Sequence, residues 1–166
     1  MLQWCRSVCR KFEVCLDTGH MKNKTCPFCD IIAENRRVIT RKGSTCAFLT
    51  NIPIIPGHTL LAPFRCATNY SDLNEKEKKD LETLRDIVTS ALKKAFGSTG
   101  FNFAWNEGRE AGQSIPHFHL HVVPRKANDV GITKYGPRKF LYRPGSRAKS
   151  RLEELVLVTD LIRKHL

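Results

Sequence analysis

Three histidines alternate with apolar residues in the run His117-Phe118-His119-Leu120-His121, inside the apolar segment 115–123. In an extended strand side chains repeat every second residue, so Ile115, His117, His119, His121 and Val123 would share one face, and Pro116, Phe118, Leu120 and Val122 the other. Adjacent histidines would then stand about 6.5–7 Å apart, a spacing suited to a row of groups along a phosphate chain. Imidazole is nucleophilic near neutral pH, carries protons and binds metals. A lone strand histidine is ordinarily a hydrogen-bonded, partly buried residue, but three in strict alternation call for chemistry. Same-face positions on one straight strand converge poorly on a single ion, which favours catalysis over a three-histidine metal site. A second feature, Cys26-Pro27-Phe28-Cys29, is a C-x-x-C pair that by itself suits a metal half-site, redox chemistry or chance.

The surrounding pattern predicts the elements that position these residues. Residues 27–34 read as a short helix; 37–41 and 45–50 read as a hairpin turned at Lys42-Gly43-Ser44, and 58–64 as a strand after the Pro53, Pro56 and Gly57 breaks. From Glu75 to Phe96, Leu81, Leu84, Ile87, Val88, Ala91, Leu92, Ala95 and Phe96 recur at spacings of three and four, the mark of an amphipathic helix. Asn74 with Glu77 forms a capping-box pattern and Gly97 a stop. Strands follow at 101–106 and 115–123, joined by a loop containing Gly108 and Gly112, and a helix near 150–165 ends the chain. Strands outnumber helices without strand–helix–strand alternation, so the fold class is α+β with an antiparallel sheet.

A chain of 166 residues fits one compact domain, and 41% hydrophobic with 27% charged residues excludes general disorder. No apolar run is long enough to span a membrane. The net charge of +12 points to an anionic partner, and residues 125–166 hold eleven Lys/Arg against four Asp/Glu. A phosphate-bearing small molecule or a nucleic acid would satisfy that charge, as would a solvated basic surface. Seven cysteines, an odd number, without a signal peptide favour a reducing, cytoplasmic setting over a disulfide framework. The chain divides into an N-terminal extension at 1–22, a catalytic domain at 23–127 and a basic C-terminal segment at 128–166.

The run HFHLHVV resembles the His-φ-His-φ-His-φ-φ signature (φ apolar) of the histidine triad superfamily. CPFCDII at 26–32, PGHTLLAP at 56–63 and NEGREAGQS before the triad are similar to family segments in the same order, so the resemblance covers about residues 26–126. AGQSIPHFHLHVVPRKAND is similar to the fragile-histidine-triad branch of dinucleoside polyphosphate hydrolases, whereas NEG is closer to the nucleoside phosphoramidases. The resemblance implies an antiparallel sheet of about five strands with one long and one or two short helices. It further implies a nucleotide hydrolase or transferase in which His119 attacks the α-phosphorus and forms a nucleotidyl-histidine.

Carried over by position, His121 becomes a phosphate-side partner, His58 a residue orienting the triad, and Ser114 a hydroxyl near the leaving oxygen. Asn106, Gly112 and Gln113 fall at phosphate-contacting positions, with Gly108 and Gly112 offering backbone N–H groups. Where the family often has Asp or Asn for the ribose, this chain has Thr50 followed by Asn51, while Ile54, Ile55 and Phe48 would line an apolar base pocket. Some relatives take two further zinc ligands from positions that here are Cys66 and His117, which implies a structural Cys₃His zinc site with Cys26 and Cys29. A homodimer joined edge to edge is implied as well. The other readings are an aprataxin-like nucleic-acid deadenylase, encouraged by the basic C-terminal segment, and a nucleotide-binding module with little turnover.

Overall fold

A computed structural model describes residues 26–129 and 149–166. The N-terminal extension at 1–22, with Cys5, Cys9 and Cys15, lies outside the described residues, as do residues 130–148 of the basic segment assigned to 128–166. Strands β1 (Val38–Lys42), β2 (Thr45–Leu49), β3 (Thr59–Pro63), β4 (Gly100–Ala104) and β5 (Leu120–Arg125) form one sheet in the order β1-β2-β3-β5-β4. Every pairing is antiparallel. The described helices are α1 (Pro27–Glu34), α2 (Glu75–Phe96) and α3 (Leu152–Arg163), with a 3₁₀ turn at Tyr70–Asp72. The fold is the α+β, five-stranded antiparallel arrangement expected from the sequence.

Strand alternation sorts the core into two layers. On one face Ala47, Leu49, Leu61, Phe118, Leu120 and Val122 meet Leu81, Leu84, Val88 and Leu92 of α2 and Leu155 and Ile162 of α3. On the other, Cys46, Phe48, Leu60 and Ala62 pack against Phe28 and Ile32 of α1. Strands β2 and β3 are buried along their whole length because both faces are covered, and each fully buried Leu or Phe contributes about 1.5–3 kcal/mol. The interior is thus a three-layer stack, with α1 pressed against the face that carries the histidines.

The helix ends follow the sequence signals. Asn74 and Glu77 form the reciprocal capping box, both bonds 2.9 Å, and Gly97 closes α2 in the left-handed region at φ 65°. Burial alone would raise the Glu77 carboxyl pKa, but hydrogen bonds from Arg65 and the Asn74 N–H hold it below its ordinary value. Glu77 therefore ties the start of α2 to the segment that follows β3. At the opposite margin of the sheet, β1 is an edge strand whose Val38 and Ile39 carbonyls accept hydrogen bonds from Arg163 of α3. This docks α3 against β1 and satisfies part of the exposed edge.

Two expectations from sequence differ in extent. The strand read at 115–123 begins only at Leu120 and runs on to Arg125. Pro116 has no N–H to pair, the His117 N–H closes onto the Ile115 carbonyl at 2.8 Å, and the Phe118 N–H donates to the Ala67 carbonyl at 2.6 Å, so residues 115–119 leave the ladder. Phe48, assigned to a base pocket, is fully buried and packs edge-on against Phe28 at 5.2 Å, so it belongs to the core.

The β1–β2 turn is tied to α2 through Asp80. Its Oδ2 accepts from the Ser44 N–H and hydroxyl at 2.9 Å each and from Lys76 Nζ at 2.8 Å. Gly43, at φ +51°, lies so close that a Cβ there would meet the Asp80 carboxylate at 2.1 Å. The Lys76 ammonium, then the Ser44 donors, hold the Asp80 carboxyl down at about 2. A lowered folded-state pKa contributes stability that is present above the unfolded value and lost as pH falls through the folded one. Asp80→Asn should therefore flatten the loss of stability between about pH 4 and pH 2, read by urea denaturation at stepped pH. An unchanged acid limb would remove Asp80 as its source.

Candidate functional site

Cys26 caps α1 at its N-terminus, where Pro27 at the first helical position fixes the backbone, and Cys29 follows one turn later. Cys66 lies three residues beyond β3, and His117 precedes β5. The fold brings these four together, with one ligand atom from each lying within 4.8 Å of the others. His117 Nδ1 lies 3.4 Å from Cys26 Sγ, 3.5 Å from Cys66 Sγ and 3.9 Å from Cys29 Sγ; Cys29 and Cys66 sulfurs are 4.0 Å apart. A tetrahedral zinc with bonds of about 2.0–2.3 Å has ligand atoms separated by about 3.5–3.8 Å, and these distances fit.

The chemistry of the donor set fits as well. His117 is fully buried, and its Nε2 faces the Pro63 carbonyl at 2.9 Å. A carbonyl only accepts, so Nε2 carries the proton and Nδ1 holds a lone pair toward the three sulfurs. Hydrogen bonds from Cys29 and then Cys66 push the Cys26 thiol pKa down, and those same bonds, with burial, push Cys29 up. One thiolate is thus favoured by the cluster itself, and further deprotonation calls for a cation.

The second group comprises His58, His119 and His121. Residues before β3 place His58 beside β5, where Leu60 pairs with His121. His58 and His119 are buried and His121 is half-buried. The ring centroids of His119 and His121 are 4.9 Å apart, closer than strand geometry alone predicts, and those of His58 and His121 are 5.2 Å apart. Phe28 of α1 packs edge-on against both His119, at 4.9 Å, and His117, at 5.8 Å.

Their hydrogen bonds assign the ring protons of the neutral forms. His119 Nδ1 lies 2.9 Å from the His117 carbonyl, so Nδ1–H donates and Nε2 keeps a lone pair. The Ile54 N–H donates to His58 Nδ1 at 3.2 Å, which places the His58 proton on Nε2. That Nε2 lies 2.9 Å from His121 Nδ1 and donates to it, so neutral His121 carries its own proton on Nε2. One ring is set up to give an electron pair and its neighbour to give a proton.

The remaining predicted residues lie around this pair in different ways. Asn106 follows β4 half-buried and Ser114 is exposed. Gln113 staples its own loop: Oε1 accepts from the Gly108 N–H at 2.9 Å and Nε2 donates to the Thr68 carbonyl at 2.8 Å. The Gly112 N–H donates to the Arg109 carbonyl at 3.0 Å, so neither glycine N–H points outward in this structure, in contrast to the expectation. Thr50 is buried at the end of β2, its Oγ1 accepting from the Ile52 N–H at 3.3 Å, and the Asn51 carbonyl accepts from the Ser150 N–H at 2.9 Å.

Sequence reasoning missed Glu107, which accepts from the Tyr70 N–H at 2.8 Å and Trp105 Nε1 at 3.2 Å and clips the loop to the segment after Cys66. It missed Phe28 as the wall behind the histidines, although Phe28 sits inside the C-x-x-C pair. The Pro63 carbonyl and the Ile54 N–H are backbone groups that carry no sequence signal.

Comparisons with known proteins agree with this geometry. Residues 33–128 match the HIT domain family model. An uncharacterized 16.1 kDa HIT-like protein of Mycoplasma pneumoniae is 34% identical over 121 residues, covering 72% of this chain and 83% of that protein. A Schizosaccharomyces pombe bis(5'-nucleosyl)-tetraphosphatase (asymmetrical) is 37% identical over 93 residues, covering 56% of this chain and 51% of the relative, so the chain spans about half its length. The crystal structure of Plasmodium falciparum diadenosine triphosphate hydrolase in complex with Cyclomarin A superposes with a TM-score of 0.64 at 28% identity, covering 78% of this chain and 75% of that one. With three alternating histidines leading into β5 beside α1, and a family match over more than half its length, this chain belongs to the histidine triad (HIT) family.

Proposed function

We propose that the protein is a nucleotide hydrolase that cleaves at the α-phosphorus of dinucleoside polyphosphates or nucleoside phosphoramidates, with His119 as nucleophile. The observation that carries this reading is the His119 ring itself, whose Nδ1–H is spent on the His117 carbonyl at 2.9 Å while Nε2 retains its lone pair. The names of the yeast and plasmodial relatives, a tetraphosphatase and a triphosphate hydrolase, support the substrate class.

In the first step Nε2 attacks phosphorus, an N–P bond forms and the bond to the leaving group breaks. The departing atom takes its proton from His121 Nε2–H, or through Ser114. His58, held in its tautomer by the Ile54 N–H, donates Nε2–H to His121 Nδ1 and so keeps the His121 proton on Nε2, facing the leaving group. Water then attacks phosphorus, returns a proton to His121 Nε2, the N–P bond breaks with its electron pair going back to His119, and the nucleotide leaves with retention of configuration after two displacements. Asn106, Gly112 and Gln113 serve the phosphates; for the glycine and glutamine this requires the loop to exchange its internal bonds for ligand. Thr50 and Asn51 lie on the ribose side.

Cys26, Cys29, Cys66 and His117 are assigned to a structural zinc ion. Bound there, zinc would neutralise the thiolates and pin α1 and the segment after β3 to the residues before β5. Two chains are proposed to join through the β4 edge, where Phe103 and Trp105 are each 46% exposed. No described helix is long and apolar enough to cross a membrane.

His119→Asn should lower kcat toward diadenosine triphosphate and an adenosine phosphoramidate by roughly 10⁴-fold or more while leaving thermal unfolding near wild type; retained turnover would defeat the nucleophile assignment. In ring-nitrogen NMR at neutral pH, His119 should appear as the Nδ1–H tautomer and His117 as Nε2–H, and the reverse for His119 contradicts the proposed attack atom. Purified protein should hold one zinc per chain by elemental analysis. Cys26→Ser should lose most of it and unfold at lower temperature, whereas metal-free protein with full stability would rule the site out.

A further inference from the structure

A cavity of about 240 Å³ opens where the start of β1, the end of β2 and the start of α3 meet, lined by Arg36, Arg37, Asn51, Ser150, Glu34 and Leu152 among others. It lies outside the histidine group, and two arginines face it against one carboxylate, Glu34. Other arginines of the described fold have partners: Arg41 binds Ile32 and Asn35, Arg65 binds Glu77, half-buried Arg125 binds Asp129, and Arg163 binds β1. The guanidinium groups of Arg36 and Arg37 have no hydrogen bond or ion pair among the described residues. Arg37 is nonetheless half-buried, and that burial, opposed by Glu34, holds its pKa below the ordinary arginine value. A half-buried guanidinium without a partner among the described residues is costly to desolvate, and an anion bound in its fork would relieve that cost.

The position of the cavity relative to the histidines follows from the backbone. The Leu49 N–H donates to the Arg37 carbonyl at 3.2 Å, and the Thr50 N–H donates to the His58 carbonyl at 3.3 Å. The backbone at Arg37, at Leu49–Thr50 and at His58 therefore runs side by side on three adjacent segments, which puts the Arg37 backbone two strand spacings, about 10 Å, from that of His58. Thr50 and Asn51 stand between the two groups. Thr50 is neutral where an acidic residue would repel a second phosphate, and Asn51, whose carbonyl anchors Ser150, faces the cavity.

From this arrangement we infer that the Arg36–Arg37 cavity is a second anion subsite, which takes a phosphate esterified to the ribose 2′ or 3′ oxygen of the nucleotide whose 5′ phosphorus lies at His119. The inference rests on the proposed reading of the histidine site and narrows its substrate class to ribose-phosphorylated nucleotides. Arginine suits the task because its planar fork binds two phosphate oxygens at once.

The test is calorimetric binding of AMP, adenosine 2′,5′-bisphosphate and adenosine 3′,5′-bisphosphate to the full chain. Wild-type protein should bind one of the bisphosphates at least about tenfold more tightly than AMP, and the isomer preferred identifies the oxygen. In R36Q/R37Q that ratio should fall to near one, and R37K, which keeps charge but loses the fork, should fall between. AMP binding with no preference for either bisphosphate overturns the subsite and leaves the histidine site standing. A preference that survives R36Q/R37Q overturns its assignment to this cavity. Failure of all three ligands to bind overturns both readings together. Where R36Q/R37Q folds poorly, the wild-type comparison still tests recognition of a second phosphate, and R37K tests its assignment to this cavity.

Discussion

His117 holds two halves of the molecule together through three bonds. Its Nε2–H is anchored on the Pro63 carbonyl at the end of β3, its Nδ1 points into the cluster of Cys26, Cys29 and Cys66, and its own carbonyl accepts the Nδ1–H of His119. Rotating that ring would break the anchor, and shifting its backbone would release the neighbouring imidazole. The orientation of His119 is therefore set by the same residue that completes the cluster. Because His117 is fully buried, each of its polar groups must find a partner, and the satisfied arrangement is a specific one.

The constraint spreads outward from this point through the segment after β3. Cys66 joins the cluster, the Ala67 carbonyl accepts from the Phe118 N–H, the Thr68 carbonyl accepts from Gln113, and the Tyr70 N–H donates to Glu107. Four positions between Cys66 and Tyr70 thus connect the cluster to the loop between β4 and β5, which carries the proposed phosphate contacts. Arg65, the next residue back, pairs with Glu77 at the start of α2 and fixes the segment to the largest helix. Loops that serve a site are usually its most mobile part, and here the loop is clipped at several points to a segment that is itself anchored.

On the other side of the sheet, α2 and α3 supply much of the apolar core. Their burial against Leu61, Leu120 and Val122 keeps β3 and β5 in register, and that register sets Leu60 opposite His121. A one-residue slip would send the histidines to the helix-covered face. The apolar partners of the alternating pattern therefore determine where the imidazoles point as much as the imidazoles do.

Sequence by itself determined a good deal. Alternation in HFHLHVV assigned opposite faces to His119 and Phe118, the three-and-four spacing delimited α2, and Asn74, Glu77 and Gly97 marked its ends, because these signals depend on residues close in the chain. The family resemblance, not spacing alone, implied Cys66 as third and His117 as fourth member of a cluster whose parts lie as far apart in sequence as Cys26 and His117. Tertiary structure alone decided the ring tautomers, since the Pro63 and His117 carbonyls and the Ile54 N–H are backbone groups that every residue possesses. It also decided that residues 115–119 leave the strand, that Phe48 is core, and that Arg36 and Arg37 meet the start of α3 beside Thr50 and Asn51. Local pattern specifies which face a side chain takes, but the partner that fixes its proton or leaves its charge unpaired is chosen only when distant segments pack.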